Sequence, residues 1–403
     1  MKQRQMFTLF TIILCFAITE CKKKKCNYQI LSSEIEFPTK ELSKFKKQVE
    51  HLVSMLVQKM RDLSKIEDPE IDVNFIRTGS SYEGLKVKPD VELDFMVPIY
   101  PAKGCKLKYA SQTPDQLSAP GMYGFIDLSE DGFQCWNKLA VQGKGSSLSS
   151  TFVKNGQLSA KSVREWFQSL ADKAANNLRS TIKAGIKFSQ QGPARTLKVT
   201  LEDGQNISVD LVPAIPLDKI YLVPKEYNGA TGQAVRYTDV IWRLSFSMQE
   251  KSFVSSLTLP PNSCHLKALQ ILKYTKEQYR KKSSPPHWAT VLETYHLKTS
   301  WLHLLQEKTS DAWEASLLRD RVLDLIDYLI QSVENGVLHH FFIGNKKNFS
   351  MSHPQMLEDA EMNANLLDGV KPSTLKMIHQ QLKQIKGNMD TIVTDFVALK
   401  HKN

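Results

Sequence analysis

Residues 76–99 read IRTGSSYEGLKVKPDVELDFMVPI, and the order of residue types in this stretch decides the fold. A Gly-Ser turn, Thr78–Gly84, lies between two strand-like segments, one near Ile71–Ile76 and one at Asp94–Ile99. Glycine lets a backbone approach a ligand closely, and backbone amides with a serine hydroxyl suit a phosphate. Taken alone, most such turns are only turns. Glu92 and Asp94 follow at a spacing of two, which on a strand puts both carboxylates on one face. Two like charges so placed repel unless a cation lies between them, and Mg²⁺ takes carboxylate and phosphate oxygens. A solvated edge would account for Asp90 and Glu92, but the apolar run Phe95–Ile99 reads as buried. Pro98 suggests that this strand ends there or lies at an edge.

A third carboxylate, Asp210, stands inside the apolar stretch Ile207–Pro213 (ISVDLVP). An acid in a buried strand is costly without a partner, and a metal shared with Glu92 and Asp94 would be one. Transfer of phosphoryl groups by divalent ions calls for such a cluster. Leu197–Leu201 and Ile207–Leu211 alternate apolar and polar residues around Asp203-Gly204, a hairpin signal.

Outward from these strands the pattern becomes helical. On the N-terminal side, Thr39 is a plausible cap for a long amphipathic helix to about Lys65, with Leu42, Phe45, Val49, Leu52, Val53, Leu56 and Met60 three and four apart. Ser162–Ile186 reads as a second helix, between loop-like stretches at 112–121 and 143–150 and the hairpin. After Trp242 strand-like alternation gives way to helices at about His265–Arg280, Trp288–Glu307, Trp313–Asn335 and Pro354–Asn365, with one or two more in Lys371–Lys400. The expected fold class is α+β: a mixed-sheet lobe leading into a helical one. The expected divisions are 1–37, a hydrophobic segment and basic tether; 38–238, the sheet lobe with its long helix; and 239–403, the helical lobe.

The chain of 403 residues carries a formal net charge of +11, of which residues 1–25 supply +5 and the remaining 378 residues +6. A mildly basic body permits a local patch for a polyanion without requiring one. Met6–Thr19 is an uncharged apolar run, short for a membrane span and matching the core of a signal peptide. Lys22, Lys23, Lys24 and Lys25 directly after it argue against translocation. So does the odd number of cysteines beyond residue 26, namely Cys105, Cys135 and Cys264, and so does the glycosylation sequon Asn206-Ile207-Ser208 beside Asp210. A cytosol-facing body with residues 6–19 as a weak anchor is expected, with secretion as the alternative.

Thr78–Val87, the Glu92/Asp94 pair, Ile207–Leu211, Trp242–Ser247 (WRLSFS) with Glu250-Lys251, and Tyr295–Thr299 (YHLKT) together resemble the successive signatures of cyclic GMP–AMP synthase (cGAS) and the Mab-type nucleotidyltransferases. The resemblance spans roughly residues 38–380. It implies a bilobed nucleotidyltransferase fold bridged by a spine helix, here Thr39–Lys65, with Mg²⁺ or Mn²⁺ held by Glu92, Asp94 and Asp210 as the catalytic acids. It further implies that Gly79 and Ser80 hold a triphosphate, that Arg243 reads a base edge, that Glu250 and Lys273 touch ribose or phosphates, and that a base stacks on Tyr295. Without the resemblance, a structural ion pair for Arg243 and a packing role for Tyr295 would be preferred.

The sequence also departs from that pattern. Vertebrate cGAS has a zinc-binding insertion of one His and three Cys after the WRLSFS segment. Met248–Lys267 offers only Cys264 and His265, so no zinc is expected, and the two residues read instead as a helix start after Pro260-Pro261. Relatives lacking the insertion include receptors for double-stranded RNA. The leading expectation is therefore a cyclic dinucleotide synthase using ATP and GTP, activated by double-stranded RNA in innate immune sensing. Lys40, Lys44, Lys46, Lys47 and Lys59, with Lys173, Arg179, Lys183 and Lys187, are the candidate duplex contacts, and a solvated helix face explains them equally. The alternatives are a catalytically silent, membrane-anchored adaptor on the same fold and a nucleotidyltransferase that needs no nucleic acid.

Overall fold

A computed structural model describes residues 26–64, 69–89, 91–100, 107–111, 121–128, 152–154, 156–179, 185–191, 194–201, 204–217, 220–225, 238–345 and 364–400. The apolar run 6–19, the loop-like stretches 112–120 and 143–150, Asp203, Lys183 and residues 354–363 lie outside them. No helix among the described residues is long and apolar enough to cross a membrane.

Residues 26–35 form the first helix, α1. This corrects the expected tether. Tyr28, Leu31, Ser32 and Ile35 recur at helical spacing and are all fully buried, a period that the preceding lysine run obscured. The spine helix α2, Thr39–Leu63, buries Phe45, Val49, Leu52, Val53, Leu56, Val57 and Met60 along one stripe. Each such side chain stabilises the fold by roughly 1.5–3 kcal/mol before entropy is set against it.

The sheet begins with β1 (Glu70–Ile71) and β2 (Ile76–Thr78), both antiparallel to β3 (Glu92–Tyr100). Then come β4 (Leu107–Ala110), β5 (Tyr123–Leu128), β6 (Val153–Lys154) and β7 (Gln157–Leu158). Helix α3, Ala160–Leu178, packs beside α2 and is capped by Ser159, whose hydroxyl accepts from the Ser162 amide. It is followed by β8 (Gly185–Gln191), β9 (Ala194–Thr200), β10 (Asn206–Leu217), β11 (Ile220–Val223) and β12 (Trp242–Ser245). The expected helix to Ile186 therefore stops at Leu178, and Gly185 opens a strand instead.

The strand order is β1-β3-β10-β11-β12-β5-β7-β6, with β2 also on β3 and β9 on β10. β3 and β10 run parallel, and the other pairings are antiparallel. Contrary to the reading of Pro98, β3 is interior and continues through it to Tyr100. The missing N–H is tolerated where the flanking partner changes from β2, at Met96, to β1, at Ile99, and the Pro98 carbonyl accepts from the Asp72 amide at 2.9 Å. Leu93, Phe95, Val209 and Leu211 face the main core, while Glu92, Asp94, Ser208 and Asp210 alternate to the other face.

The helical part comprises α4 (Ser247–Ser256), α5 (His265–Arg280), α6 (His287–Val291), α7 (Thr294–Glu307), α8 (Leu318–Asn335) and α9 (Pro372–Lys400). The segment expected as one helix over Trp288–Glu307 is split at Leu292, and 3₁₀ turns precede Leu318. α1 docks here: the Tyr28 hydroxyl donates to Asp390 at 3.1 Å, and Arg319 grips Asp390 with two hydrogen bonds of 2.8 Å.

Candidate active site

The three acids are brought together by register. Ser208 pairs with Glu92 and Asp210 with Asp94 across the β3/β10 parallel pair, so the carboxylates share one face. Ligand atoms of Glu92, Asp94 and Asp210 lie within 4.8 Å of one another. Burial, then the charges of Glu92 and Asp210, push the Asp94 carboxyl up to about 7. Burial also raises Asp210, against the pull of a 2.5 Å hydrogen bond from the Thr196 hydroxyl to its Oδ1. Hard oxygen donors that are crowded, partly desolvated and costly to ionise together fit a divalent cation of the Mg²⁺ or Mn²⁺ type.

The turn between β2 and β3 lies over these acids. Gly79 has φ +75°, and a Cβ there would stand 1.8 Å from Asp94 Oδ2, so backbone and carboxylate meet where no side chain fits. The turn is closed by Tyr82 and Glu83 amides donating to the Gly79 carbonyl and by Leu85 N–H to Ser80 O at 2.8 Å. Ser81 Oγ donates to the Glu92 carbonyl at 2.5 Å, fastening the turn to β3.

Turn and acids open onto a cleft of about 450 Å³, lined on the sheet side by Gly79, Ser80, Asp94, Asp210 and Arg243, and on the helical side by Glu250, Lys273, Tyr295 and Lys298. Every catalytic or nucleotide-binding candidate except Glu92 thus reaches this one cavity. Glu92 stands at the acid cluster, its carboxylate 3.4 Å from Lys86 Nζ. The Arg243 guanidinium carbon is 5.3 Å from the centre of the Tyr295 ring, a cation–π arrangement. Lys273 donates to the Leu85 carbonyl at 2.9 Å; burial and then nearby Lys86 bring its pKa down to about 8.

Glu250 lines the cleft with partners already in place. Its carboxylate is already engaged by Lys298, at 2.6 Å, and by the Tyr295 hydroxyl, at 2.8 Å. Burial works to raise its pKa, but Lys298 and Tyr295 more than offset that and keep it below the usual range. Sequence reasoning missed Lys298, Glu83, His340 and Thr196. Lys298 stands three residues after Tyr295 in the quoted YHLKT signature and could have been found there, whereas His340 carries no local signal.

Of the basic candidates, Lys40, Lys44 and Lys47 on α2 and Lys173 and Arg179 on α3 and its end are exposed. Lys46 instead sits 4.7 Å from the centre of the Tyr82 ring, and burial lowers its pKa. Cys264 is buried at the start of α5. His265 shares a 2.9 Å hydrogen bond with Ser263 and stacks on Trp301, and burial takes it down to about 4.

Residues 81–256 match the Mab-21 protein nucleotidyltransferase domain, and residues 264–384 the Mab-21 protein HhH/H2TH-like domain. The chain is 28% identical to the inositol 1,4,5-trisphosphate receptor-interacting protein of Bos taurus over 355 residues, covering 80% of this chain and 62% of that protein. Against the Takifugu rubripes protein of the same name the identity is 26%, covering 80% and 64%. It is 23% identical to cyclic GMP-AMP synthase-like receptor 3 of Stylophora pistillata, covering 83% of this chain and 86% of that one. The chain therefore spans under two thirds of the length of the two receptor-interacting proteins.

Proposed function

This chain belongs to the Mab-21 family, and on that footing we propose that it is a metal-dependent nucleotidyltransferase joining nucleoside triphosphates of the ATP and GTP type into a cyclic dinucleotide. One observation carries the reading: Glu92, Asp94 and Asp210 converge within 4.8 Å under a glycine turn, at an ionisation cost that a cation would relieve. A scaffold has no need of three converging carboxylates.

A bound divalent ion would neutralise phosphoryl oxygens and acidify the attacking hydroxyl. Around it the chain's own residues hold the substrate. Backbone amides of the Gly79–Ser80 turn and the Ser80 hydroxyl receive phosphate oxygens, and Lys273 adds a cation from the helical side. The Tyr295 ring offers a face for a base, and Arg243 a planar donor fork for its edge. Glu250 acts through Tyr295 and Lys298 rather than on ribose. Double-stranded RNA, docked on the exposed lysines of α2, is the proposed activator, with a role in innate immune sensing.

A second reading rests on the relatives named as inositol 1,4,5-trisphosphate receptor-interacting proteins. On it the chain is an adaptor for such a receptor, held at a membrane through residues 6–19, with the cleft silent. Purified protein incubated with labelled triphosphates and Mg²⁺ or Mn²⁺, with and without duplex RNA or DNA, separates the two. A cyclic product supports the synthase. No product under any condition, with capture of the receptor by the same protein, supports the adaptor.

A further inference from the structure

Lys298 Nζ lies 2.7 Å from Glu83 Oε2 and 2.6 Å from Glu250 Oε2, and all three side chains are largely buried. The three residues come from separate parts of the chain: Glu83 from the phosphate turn, Glu250 from α4 and Lys298 from α7. The other oxygen of Glu250 accepts from the Tyr295 hydroxyl, whose oxygen in turn meets His340 Nε2 at 2.9 Å.

The direction of this chain of bonds follows from His340. Its Nδ1 accepts from the backbone N–H groups of both Phe342 and Ile343, at 3.1 Å each. The ring proton is therefore on Nε2 and points at the Tyr295 oxygen. Burial keeps this imidazole neutral, taking its pKa down to about 3. The hydrogen of Tyr295 is left for Glu250, and every member of the series has one orientation only. The Tyr295 hydroxyl is thereby used up, and its ring face is what remains for a ligand.

Two carboxylates and one ammonium leave a net negative charge in a buried place. Such clusters are poor devices for stability, since an apolar replacement of equal volume is commonly as stable or more so. What they supply is fixed geometry.

We propose that Lys298 is a positioning residue that ties the phosphate turn at Glu83 to the base platform at Tyr295, so that the two ends of the cleft are held as one rigid unit. The proposal rests on the nucleotide reading for its purpose, but the tie is a property of the protein alone. Gln270 and Lys273 hold only the far limb of the turn, through the carbonyls of Gly84 and Leu85. Ser81 fastens the near limb to β3, and the Tyr82 hydroxyl, donating to Glu50 at 2.8 Å, fastens it to α2; its tie to the helical part runs through Glu83 and Lys298.

The test is amide hydrogen exchange over residues 79–85 of the full chain, read beside thermal unfolding, for wild type, Lys298→Met, Lys298→Arg, Tyr295→Phe and the charge-balanced Lys298→Met/Glu83→Gln. Loss of the tie should speed exchange in the turn roughly tenfold in Lys298→Met, the scale of one charge-assisted hydrogen bond. Lys298→Arg should restore part of the protection, and Tyr295→Phe, which cuts the series at its far end, should speed the turn by a smaller factor. The double variant should recover melting temperature yet keep the fast turn. Turn exchange that is unchanged in Lys298→Met, unchanged in Tyr295→Phe, or that recovers along with the melting temperature in the double variant would overturn the proposal. No nucleotide enters this measurement, so a wild type that binds none would remove the synthase reading while leaving the tie to be judged on exchange.

Discussion

Asp94 and Asp210 stand directly opposite each other on the neighbouring parallel strands β3 and β10, with Glu92 two residues back on the same face. In a parallel pair such partners are held a fixed distance apart by main-chain hydrogen bonds, so neither acid can withdraw from the other without breaking the sheet. The mutual repulsion is built into the fold.

Asp94→Asn and Asp210→Asn should each abolish nucleotide transfer while leaving the protein folded. Each removes a ligand atom and one of the clashing charges, so melting temperature without metal should hold or rise. Turnover assays in Mg²⁺ and Mn²⁺ with parallel thermal unfolding check this. Full activity in either variant would remove the acid cluster from the mechanism.

The same pair predicts a pH dependence. In the folded chain Asp94 titrates near 7, above the ordinary carboxyl value of 3.8. The folded state therefore holds an extra proton between those limits, and stability without metal should fall as pH rises from about 4 to about 7. Beyond that both states are ionised and this contribution levels off. Melting in chelator across that range should show the decline, Asp94→Asn should flatten it, and Mg²⁺ should oppose it. A wild-type curve identical to that of Asp94→Asn would show that Asp94 is not the group responsible.

Gly79→Ala should be more damaging than its size suggests. A residue with a Cβ at φ +75° carries a backbone cost of about 1–2 kcal/mol, and the methyl would collide with Asp94 Oδ2. The expected result is a lower melting temperature together with a marked loss of Mn²⁺ affinity by calorimetry. Unaltered Mn²⁺ binding would mean that the turn and the acids are independent.

Tyr295→Ala and Tyr295→Phe should separate ring from hydroxyl. The alanine variant loses base stacking, about 1–3 kcal/mol of nucleotide affinity. It also strips a donor from Glu250 and an acceptor from His340, a stability cost of about 1–3 kcal/mol. The phenylalanine variant should keep most of the nucleotide affinity and show mainly the second effect. Equal nucleotide affinity in wild type and Tyr295→Ala would return the ring to a packing role.

Lys44→Glu with Lys47→Glu places two charge reversals three residues apart on the exposed side of α2, away from the cleft. Activation by duplex RNA should be lost while nucleotide binding persists, and wild-type activation should fall steeply with salt. Product formation against RNA concentration at two salt concentrations is the measurement. Superimposable curves for the two proteins would exclude this face.

The spine helix, the β9/β10 hairpin, helix α5, the Glu92/Asp94 pair and the acid Asp210 inside an apolar strand were legible in the sequence because each is local. An apolar stripe, an alternation or a spacing of two needs only neighbours along the chain to specify it. The same locality explains what was misjudged. Tyr28, Leu31 and Ile35 have a helical period, but it becomes a helix only against Arg319, Asp390 and the rest of the C-terminal part, which lies hundreds of residues away. Pro98 reads as an edge residue until two short strands share the flank of β3. Above all, the sequence marks Glu250, Tyr295 and Lys298 as polar residues near a signature and says nothing of their pairing. Tertiary packing decides that Glu83 and His340 join them, since desolvation makes each buried polar group seek whichever partner the fold brings within about 3 Å, however remote in the chain.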